Sequence, residues 1–312
     1  MVKLYNNLNL KKNHKRSIIL IGNFDGLHSG HQKLFSLAQE YKKKYSIKIG
    51  VLTFEPMPKM FFNKKLNNFR ISSFEQKIDL LKKQNVDFII TKKFTKEFSK
   101  TKAENFISQI LGKKLNPKFI FVSNNFRFGN KREGDVKQLI KNESLYNYKI
   151  IKPKPLLIKK KVASSSLIRI CLQNGKLEKA NKILKRKWST KGKVQKGKQL
   201  GKKIGFPTAN IDIKDYVLAK TGVYAVRVKT PKSKNFVKGI ANLGYRPTFN
   251  GNKILLEVHL FNFTGNLYNK YLTVEFLKFI RKEKKFKNVD QLKKQIKIDL
   301  QIAKKTKWVK PK

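Results

Sequence analysis

The 312-residue chain has a single cysteine, Cys171, and it also lacks long apolar runs. One cysteine excludes an intrachain disulfide and a zinc site built from cysteines, which fits a reducing cytoplasm. The apolar run Ile18–Ile21 is too short for a signal peptide, and no stretch approaches the length of a membrane span. We therefore expect a cytoplasmic protein with no membrane partner.

Acidic residues are scarce: 19 of them face 73 basic residues, for a formal net charge of +54. Such a charge is typical of nucleic-acid-binding proteins. However, nearly all the basic residues are lysines spread along the chain, and Asn, Ile and Phe are abundant. This profile indicates the codon bias of an A+T-rich genome, so we expect no specific nucleic-acid partner. The length and the apolar content of 40% predict two domains with real cores.

Histidine is scarce too, and two of the four histidines, His28 and His31, lie in the glycine-rich stretch 22–31. An apolar run precedes this stretch and a segment with helical spacing follows it, which predicts a strand-to-helix turn. In an open α/β sheet such turns bind phosphates. The glycine spacing and the missing Gly-Lys-Ser/Thr exclude a dinucleotide fingerprint and a Walker A loop. The structural alternative is two turn histidines beside a glycine-rich bend.

The two halves of the chain have different periodicities. In the first half, apolar strands near residues 47–54, 86–90 and 119–122 alternate with helical segments, which predicts a doubly wound parallel sheet. Near residue 185, short alternating runs separated by glycine and proline begin, and they predict a small antiparallel β-barrel. An amphipathic helix at 288–305 closes the chain. We therefore expect an α/β protein with domains at residues 1–185 and 186–312.

The stretch 22–31 resembles the G-x-F-D-G-x-H-x-G-H signature of nucleotidyltransferases, in its FAD synthetase version. Two later blocks of that family are also similar. Residues 123–135 carry one, with Ser123 in place of the usual glycine, and residues 163–169 carry the other, with Ser166 in place of the usual threonine.

The second half resembles riboflavin kinases. Residues 197–210 are similar to the block G-x-x-x-G-R-x-x-G-x-P-T-A-N, with Lys202 where arginine is usual. Residues 239–249 and the segments around Glu257 and Arg281 match further blocks of that family. From about residue 17 to residue 303, the chain is thus similar to the bacterial bifunctional riboflavin kinase/FMN adenylyltransferase family, the FAD synthetases.

This resemblance implies two ATP-dependent steps. The C-terminal barrel phosphorylates riboflavin, and the N-terminal domain transfers AMP from ATP to FMN, giving FAD and pyrophosphate. The implied catalytic residues are His28, His31 and, as the base of the kinase step, Glu257. In the first domain the implied ligands of ATP or FMN are Gly22, Phe24, Asp25, Gly26, Asn125, Arg127, Ser165, Ser166 and Arg169.

In the second domain the implied ligands of ATP or riboflavin are Gly201, Lys202, Gly205, Pro207, Thr208, Asn210 and Arg281. Thr208 and Asn210 are also the expected ligands of Mg²⁺, which prefers hard oxygen donors. The expected partners are ATP, riboflavin, FMN and FAD, with the protein a monomer or a weak homo-oligomer.

Two other functions stay open at this point. One is a nucleotidyltransferase with a different acceptor and an accessory barrel, and the other is a basic nucleic-acid-binding protein on the same scaffold. Single residues have plain alternatives as well, because Glu257 could be a solvent-facing strand residue and His259 could simply pack.

Overall fold

The computed structural model describes residues 1–63, 66, 68–197, 199–231, 235–248 and 251–306, with the backbone alone at 246–248 and 251–253. Lys198 and Phe249, which belong to the predicted riboflavin kinase blocks, lie outside these residues. The chain forms two compact units. The first comprises Met1–Leu66 and Phe74–Ser164, and the second comprises Asn67–Ser73 and Ser165–Lys312.

The first unit is built on a parallel sheet. Its strands and small hairpins are β1 (Lys3–Tyr5), β2 (Ile18–Ile21), β3 (Ile49–Glu55), β4 (Phe88–Lys93), β5 (Phe119–Phe121), β6 (Arg127–Phe128), β7 (Gly134–Asp135), β8 (Lys149–Ile151), β9 (Leu157–Ile158) and β10 (Lys161–Val162). Six of them form one sheet in the order β1-β4-β3-β2-β5-β8, and every neighbouring pair is parallel. The predicted parallel sheet is confirmed.

Helices cover both faces of this sheet. They are α1 (Ser29–Tyr45), α2 (Pro58–Phe62), α3 (Phe74–Lys82), α4 (Lys96–Ser99), α5 (Ala103–Asn105) and α6 (Val136–Lys141), with 3₁₀ turns at Lys12–His14 and Asn130–Arg132 and a π-helical stretch at Phe106–Leu115. Along β2, Ile18 and Leu20 enter one core while Ile19 and Ile21 enter the other. A strand buried on both faces reads as a continuous apolar run, as β2 does.

The central position of β2 determines where a ligand can bind. β2 pairs with β3 on one side and with β5 on the other. The connection that leaves β2 runs toward β3, whereas the one that leaves β5 runs the other way, toward β8. Open α/β sheets bind ligands at such a switch point, outside the carboxyl ends of the strands. The turn after β2 carries His28, and the turn after β5 carries Asn125.

Several of the scarce carboxylates bind backbone amides of the first unit. Asp87 accepts a hydrogen bond from Ile49 N at 2.7 Å, and Glu143 accepts one from Ile150 N at 2.8 Å. Glu133 accepts one at 2.6 Å from the N–H of Ala103, the first residue of α5. These carboxylates therefore fix the starts of two strands and one helix, in addition to any charge that they balance.

The second unit contains the predicted barrel. It begins with α7 (Ser165–Gln173) and α8 (Leu177–Leu184) and continues with β11 (Ser189–Gln195), α9 (Leu200–Lys203), β12 (Ala209–Ile211), β13 (Gly222–Lys229), β14 (Val237–Thr248), β15 (Gly251–Leu260), β16 (Tyr271–Arg281) and α10 (Val289–Lys305). The strands close into an antiparallel barrel in the order β11-β12-β15-β14-β13-β16. The barrel and its C-terminal helix confirm the predicted architecture.

A short segment from the first half of the chain belongs to this second unit. Arg70 N donates to Asp215 O at 3.0 Å, and Arg70 O accepts from Val217 N at 2.7 Å. The indole N–H of Trp188, a fully buried residue, donates to Ile71 O at 3.0 Å. The second unit is therefore discontinuous in sequence.

The helices α7 and α8 also belong to the second unit, although residues 165–185 were predicted to belong to the first domain. Asn181 of α8 accepts from Trp188 N at 2.7 Å and donates to Phe276 O on β16 at 3.4 Å. The functional boundary between residues 185 and 186 stays a prediction. Within the part of the chain that the structure describes, no helix is long and apolar enough to cross a membrane.

The contacts of α8 predict how fragments of the chain behave. We expect a fragment of residues 165–312 to melt at a higher temperature than one of residues 186–312. The longer fragment keeps the Asn181 hydrogen bonds and the buried side chains of Leu177, Ile183 and Leu184. Burial of each of these three side chains stabilises the fold by about 1.5–3 kcal/mol. Thermal unfolding followed by tryptophan fluorescence measures the two melting temperatures. Both fragments lack Asn67–Ser73, so that segment does not contribute to the difference. Equal melting temperatures would contradict the structural role of α8.

Candidate active sites

The turn between β2 and α1 forms the first candidate site. Gly22 N donates to Leu52 O at 3.1 Å, which ties the start of the turn to β3. Phe24, Gly26 and Leu27 have φ values of 48°, 77° and 37°, all in the left-handed region. Glycine adopts this region freely, whereas Phe24 and Leu27 are held there at a cost of about 1–3 kcal/mol each. Both apolar side chains are fully buried, so packing compensates for the strain.

The two histidines of the turn meet at the N-terminus of α1. His28 is the N-cap residue, and its Nδ1 accepts the backbone N–H of His31 at 3.4 Å. The two imidazole rings stack with centroids 3.7 Å apart and an interplanar angle of 22°. Because Nδ1 of His28 is an acceptor, a neutral His28 carries its proton on Nε2. The proton-bearing Nε2 of a neutral His28 thus belongs to the residue that caps the N-terminus of α1.

His31 is held as a neutral imidazole. Burial of the ring, followed by the neighbouring His28, keeps the pKa of His31 well below its usual value of 6.5. Its Nδ1 is buried and has no hydrogen-bond partner among the described residues. The ring packs edge-on against Phe24, with centroids 5.2 Å apart. A neutral ring hydrogen-bonds an anionic group through the nitrogen that carries its proton, so Nδ1 of His31 can be that donor when the proton lies on Nδ1.

A buried lysine that was not predicted from the sequence connects the end of β3 with this turn. Lys77 of α3 is 2% exposed, and its Nζ lies 3.4 Å from Thr53 Oγ1 and 3.4 Å from Glu55 Oε2. Thr53 in turn donates to Asn23 O, inside the glycine-rich turn, at 3.4 Å. A buried charge needs partners, and here they connect the end of β3 with the turn. Lysine is too common in this chain for its identity alone to have been a signal.

The remaining residues predicted for this site occupy two places. Asn125 and Arg127 follow β5 at the same edge of the sheet, where Asn125 Oδ1 accepts from Ser123 Oγ at 2.9 Å. Arg127 contacts Asp135 at 3.4 Å in an exposed ion pair, which is a weak interaction that a ligand can displace.

Ser165, Ser166 and Arg169 lie on α7, in the second unit. There the Arg169 guanidinium donates to Phe69 O at 2.8 Å and lies 3.7 Å from the centre of the Phe69 ring.

The second candidate site is a cavity of about 380 Å³ in the barrel unit. This volume lies within the range typical of small-molecule sites, roughly 300–1,000 Å³. Five of the predicted residues line it: Gly201, Thr208, Asn210, Glu257 and Arg281. Apolar side chains from α10 and the segment before it, including Phe286, Leu292 and Ile296, form another part of the wall. The cavity thus combines convergent polar groups with an apolar surface.

Strand register places three polar side chains in one row of this cavity. Glu257 of β15 lies opposite Asn210 of β12 on one side and opposite Asn242 of β14 on the other. Directly opposite residues of antiparallel strands have Cβ atoms about 4.5–5.5 Å apart and point to the same face. Asn242 was not predicted as a site residue. Its signal was present in the sequence, since it is the polar residue in the apolar run 240–243.

Asn210 has an unused acceptor. Its side chain is 6% exposed, and its Oδ1 has no hydrogen-bond partner among the described residues. A Cβ at Gly197 would lie 2.0 Å from Asn210 Nδ2, so only glycine at this position leaves room for the amide. A buried amide oxygen without a donor is costly unless a ligand or a cation binds it. With the hydroxyl of Thr208 it offers two hard oxygen donors.

Arg281 is committed to an ion pair. Its Nε and Nη2 donate to the carboxylate of Asp299 at distances of 2.7–3.0 Å, and Asp299 on α10 is 2% exposed. Gln295 Nε2 donates to the same carboxylate at 3.0 Å. Arg281 therefore ties β16 to the helix that forms the apolar wall. Its Nη1 also donates to Lys282 O at 2.9 Å, so each guanidinium nitrogen already has a partner within the protein.

The other predicted residues of the kinase block shape the segment that borders the cavity. Lys202 N donates to Gln199 O at 3.1 Å, and Gly205 N donates to Lys202 O at 3.2 Å. Pro207 O lies 2.8 Å from His259 Nδ1. Since a carbonyl oxygen only accepts, Nδ1 of His259 carries a proton. His259 also lines the cavity, so it both packs and holds the border segment in place.

Comparison with known proteins gives the family of each half. A family model described as FAD synthetase matches residues 10–167, and one described as riboflavin kinase matches residues 184–307. A bifunctional riboflavin kinase/FMN adenylyltransferase of Buchnera aphidicola (subsp. Schizaphis graminum) is 43% identical over 95% of this chain and 96% of its own. The protein of that name from Escherichia coli K12 is 37% identical over 89% of each chain.

A solved structure is similar along nearly its whole length. It is described as a macrolide-efflux protein from Streptococcus pneumoniae, covers 99% of both chains and superposes with a TM-score of 0.84 at 27% identity. The solved structure thus shares the fold of this chain, with the sheet unit first and the barrel unit second.

The lowered pKa of His31 predicts a pH dependence of stability. Below pH 6.5 the unfolded chain binds a proton at His31 that the folded protein does not bind, so stability is lost as the pH falls. The pKa of His14 is also lowered by burial and adds to this loss. We expect His31→Gln to flatten the decline between about pH 7 and pH 5. Hydrogen exchange of the β2 amides measures the free energy of unfolding at each pH. The same decline in His31→Gln as in the wild type would contradict a neutral, buried His31.

Proposed function

Because the chain belongs to the bifunctional riboflavin kinase/FMN adenylyltransferase family, we propose that its two reactions use the two sites described above. The protein phosphorylates riboflavin to FMN and transfers AMP from ATP to FMN, giving FAD. The proposal assigns the adenylyl transfer to the turn with His28 and His31, and the kinase step to the row that contains Glu257. The observation that carries it is that the two family models match, in this order, the segments that hold these sites.

The adenylyl transfer requires no protein nucleophile. The FMN phosphate is already an anion, so the protein must align it with the α-phosphate of ATP and stabilise charge on that phosphate and on the leaving pyrophosphate. The Nε2–H of His28, the imidazole of His31 and the N–H groups at the start of α1 are suited to this task. Gly22, Phe24, Asp25 and Gly26 form the turn that presents these donors, and Asn125 and Arg127 approach from the next strand.

The kinase step begins from a neutral 5′-hydroxyl of riboflavin. Glu257 takes the hydroxyl proton as the oxygen attacks the γ-phosphorus of ATP, and ADP leaves with the electrons of the broken bond. The border segment with Gly201, Lys202, Gly205 and Pro207 is the proposed site for the ATP phosphates. The apolar wall of Phe286, Leu292 and Ile296 is suited to the flavin ring.

Magnesium fits the donors at Thr208 and Asn210. The buried, unpartnered Oδ1 of Asn210 and the hydroxyl of Thr208 are hard oxygen ligands, which Mg²⁺ prefers while keeping several waters. When bound, the ion neutralises charge on the ATP phosphates. Across the described residues, no cluster of three or more His, Cys, Asp or Glu side chains could hold a metal ion. The proposed ion would be held by these two neutral side chains and by the phosphates themselves.

The remaining assignments rest on the sequence and the family. We place the functional boundary between residues 185 and 186, close to the start of the riboflavin kinase match at residue 184. Ser165, Ser166 and Arg169 remain proposed ligands of ATP, and Arg281 a proposed ligand in the kinase site. A single cysteine supports a cytoplasmic location. The even spread of lysines supports the absence of a specific nucleic-acid partner, and we keep a monomer or weak homo-oligomer as the expected state.

Two substitutions of His28 separate its structural role from its catalytic role. Asparagine is a good N-cap residue, so His28→Asn should preserve the start of α1, whereas His28→Ala should cost about 1 kcal/mol of stability. Both should lower FAD formation from FMN by about 10²–10³-fold, because both remove the donor at Nε2. Chromatography of FAD formed from FMN and Mg-ATP measures the rate.

Riboflavin phosphorylation by the same His28 variants is the internal control and should be unchanged. Wild-type FAD formation by His28→Asn would show that His28 acts through the helix cap alone. A parallel loss of both activities in folded protein would contradict the assignment of two sites.

Replacing Glu257 tests the base of the kinase step. Glu257→Gln keeps the shape and removes the proton acceptor, so kcat for riboflavin phosphorylation should fall by about 10²–10⁴-fold. The KM for riboflavin should change little, and FAD formation from supplied FMN should not change. Timed FMN production at saturating Mg-ATP gives kcat.

Glu275→Gln is the matched control. Glu275 also lies on a barrel strand, but it is paired with Arg227 at 2.6 Å and is not among the residues that line the cavity. We expect this variant to phosphorylate riboflavin at about the wild-type rate. A Glu257→Gln protein that does the same would overturn the assignment of the base.

A further inference from the structure

The border segment, residues 201–207, takes its shape from short local hydrogen bonds. Phe206 N donates to Gly201 O at 2.7 Å, and Ile204 N donates to the same carbonyl at 3.3 Å. Gly205 N donates to Lys202 O at 3.2 Å. A helical turn of so few residues is marginal by itself in water. The segment therefore keeps this shape only while other contacts hold it against the barrel.

His259 of β15 provides such a contact at the end of the segment. Its Nδ1 lies 2.8 Å from Pro207 O, and the imidazole is the donor because a carbonyl oxygen only accepts. The ring also meets the Phe206 ring edge-on, with centroids 5.9 Å apart and an interplanar angle of 84°. Proline has no backbone N–H, so the carbonyl is the backbone group through which Pro207 can be held. A hydrogen bond and a ring contact thus join β15 to the border segment.

The bond to Pro207 O also acts on Thr208, the next residue. The Pro207 carbonyl belongs to the peptide group that ends at the Cα of Thr208, and this group is planar. The direction of the carbonyl therefore helps to set the direction in which the chain enters Thr208, which lines the cavity. His259 and Glu257 lie two residues apart on β15 and point to the same face. One strand thus carries the proposed base and a contact that holds the segment proposed to bind the ATP phosphates.

We propose that His259 is a positioning residue for the kinase step, and that its hydrogen bond to Pro207 O keeps the border segment and Thr208 in the conformation that binds the phosphates of ATP. This inference rests on the proposed placement of those phosphates at the border segment. It assigns His259 no contact with ATP or with the reacting atoms. Its effect is on the population of the competent conformation, and a smaller population weakens the apparent affinity in proportion.

Two substitutions of His259 separate the hydrogen bond from packing. His259→Phe keeps an aromatic ring without a donor, whereas His259→Asn loses the ring but keeps an N–H donor at the δ position. The loss of one hydrogen bond typically changes an equilibrium constant by about 2–10-fold. We therefore expect the KM for Mg-ATP to rise by about 3–10-fold in His259→Phe and by less than about twofold in His259→Asn.

Steady-state kinetics of riboflavin phosphorylation by the full chain measures this difference. The kcat at saturating Mg-ATP and the KM for riboflavin should stay within about threefold of wild type in both variants, because neither the base nor the apolar wall is changed. FAD formation from supplied FMN is proposed to use the other site and should not change. Thermal unfolding verifies the barrel, and if His259→Phe destabilises it, His259→Leu takes its place as the variant without a donor.

Hydrogen exchange in the ligand-free full chain gives a readout that does not depend on activity. The amides of residues 202–206 all donate to carbonyls at positions 199–202, so their exchange reports the opening of the border segment. We expect these amides to exchange about 3–10-fold faster in His259→Phe and at the wild-type rate in His259→Asn. The amides of β13 are the internal control and should exchange at the wild-type rate in both variants.

The outcomes separate this inference from the proposed function. Unchanged exchange and an unchanged KM for Mg-ATP in His259→Phe would overturn the inference and leave both proposed sites intact. Equal effects in the two variants, or a larger effect in His259→Asn, would show that the ring acts by packing and would also overturn it. Faster exchange in His259→Phe with an unchanged KM for Mg-ATP would contradict the proposed phosphate site at the border segment, and this inference with it.

Discussion

Strand register is the constraint on which the barrel site depends. Glu257 is flanked along β15 by Leu256 and Val258, which are 0% and 1% exposed. Burial of such side chains contributes about 1.5–3 kcal/mol each, and a slip of one residue would turn them toward the cavity and Glu257 toward the core. The apolar residues on one face of β15 thus determine the position of the polar residue on the other. The same register brings Asn210 and Asn242 to either side of Glu257.

The first site depends on a comparable coupling between packing and chemistry. β2 is buried on both faces, which fixes where its chain ends and where the glycine-rich turn begins. Phe24 and Leu27 bury their side chains from strained backbone positions, and the ring of Phe24 contacts His31. His28 then begins the helix with the same imidazole that is proposed to contact phosphate. Each site therefore lies where the fold already restricts the motion of the side chains it uses.

Much of this arrangement could be predicted from the sequence. The apolar strands and the helical spacing predicted the parallel sheet, and the alternating runs predicted the barrel. The glycine-rich turn with two histidines was identifiable because rare residues were concentrated in it.

Other features left no local signal. β12 has three residues inside a glycine-rich block, so its pattern is too short to recognise. Asn67–Ser73 belongs to the second unit because of hydrogen bonds to residues more than 100 positions away in the sequence. One of them joins the indole N–H of Trp188 to Ile71 O. The partnership of Arg281 with Asp299 and the placement of Asn242 beside Glu257 likewise arise from tertiary contacts and register.

The scarcity of carboxylates has a genetic consequence. A single G-to-A transition in the first codon position changes glutamate to lysine and aspartate to asparagine. A coding sequence under pressure toward A and T therefore loses acidic residues and gains the lysines and asparagines that are abundant here. Under such pressure, carboxylates persist where their loss is harmful, and in this protein Asp87, Glu133 and Glu143 hold backbone amides while Asp299 holds Arg281. Glu257 is among the 19 acidic residues that the sequence contains in this background.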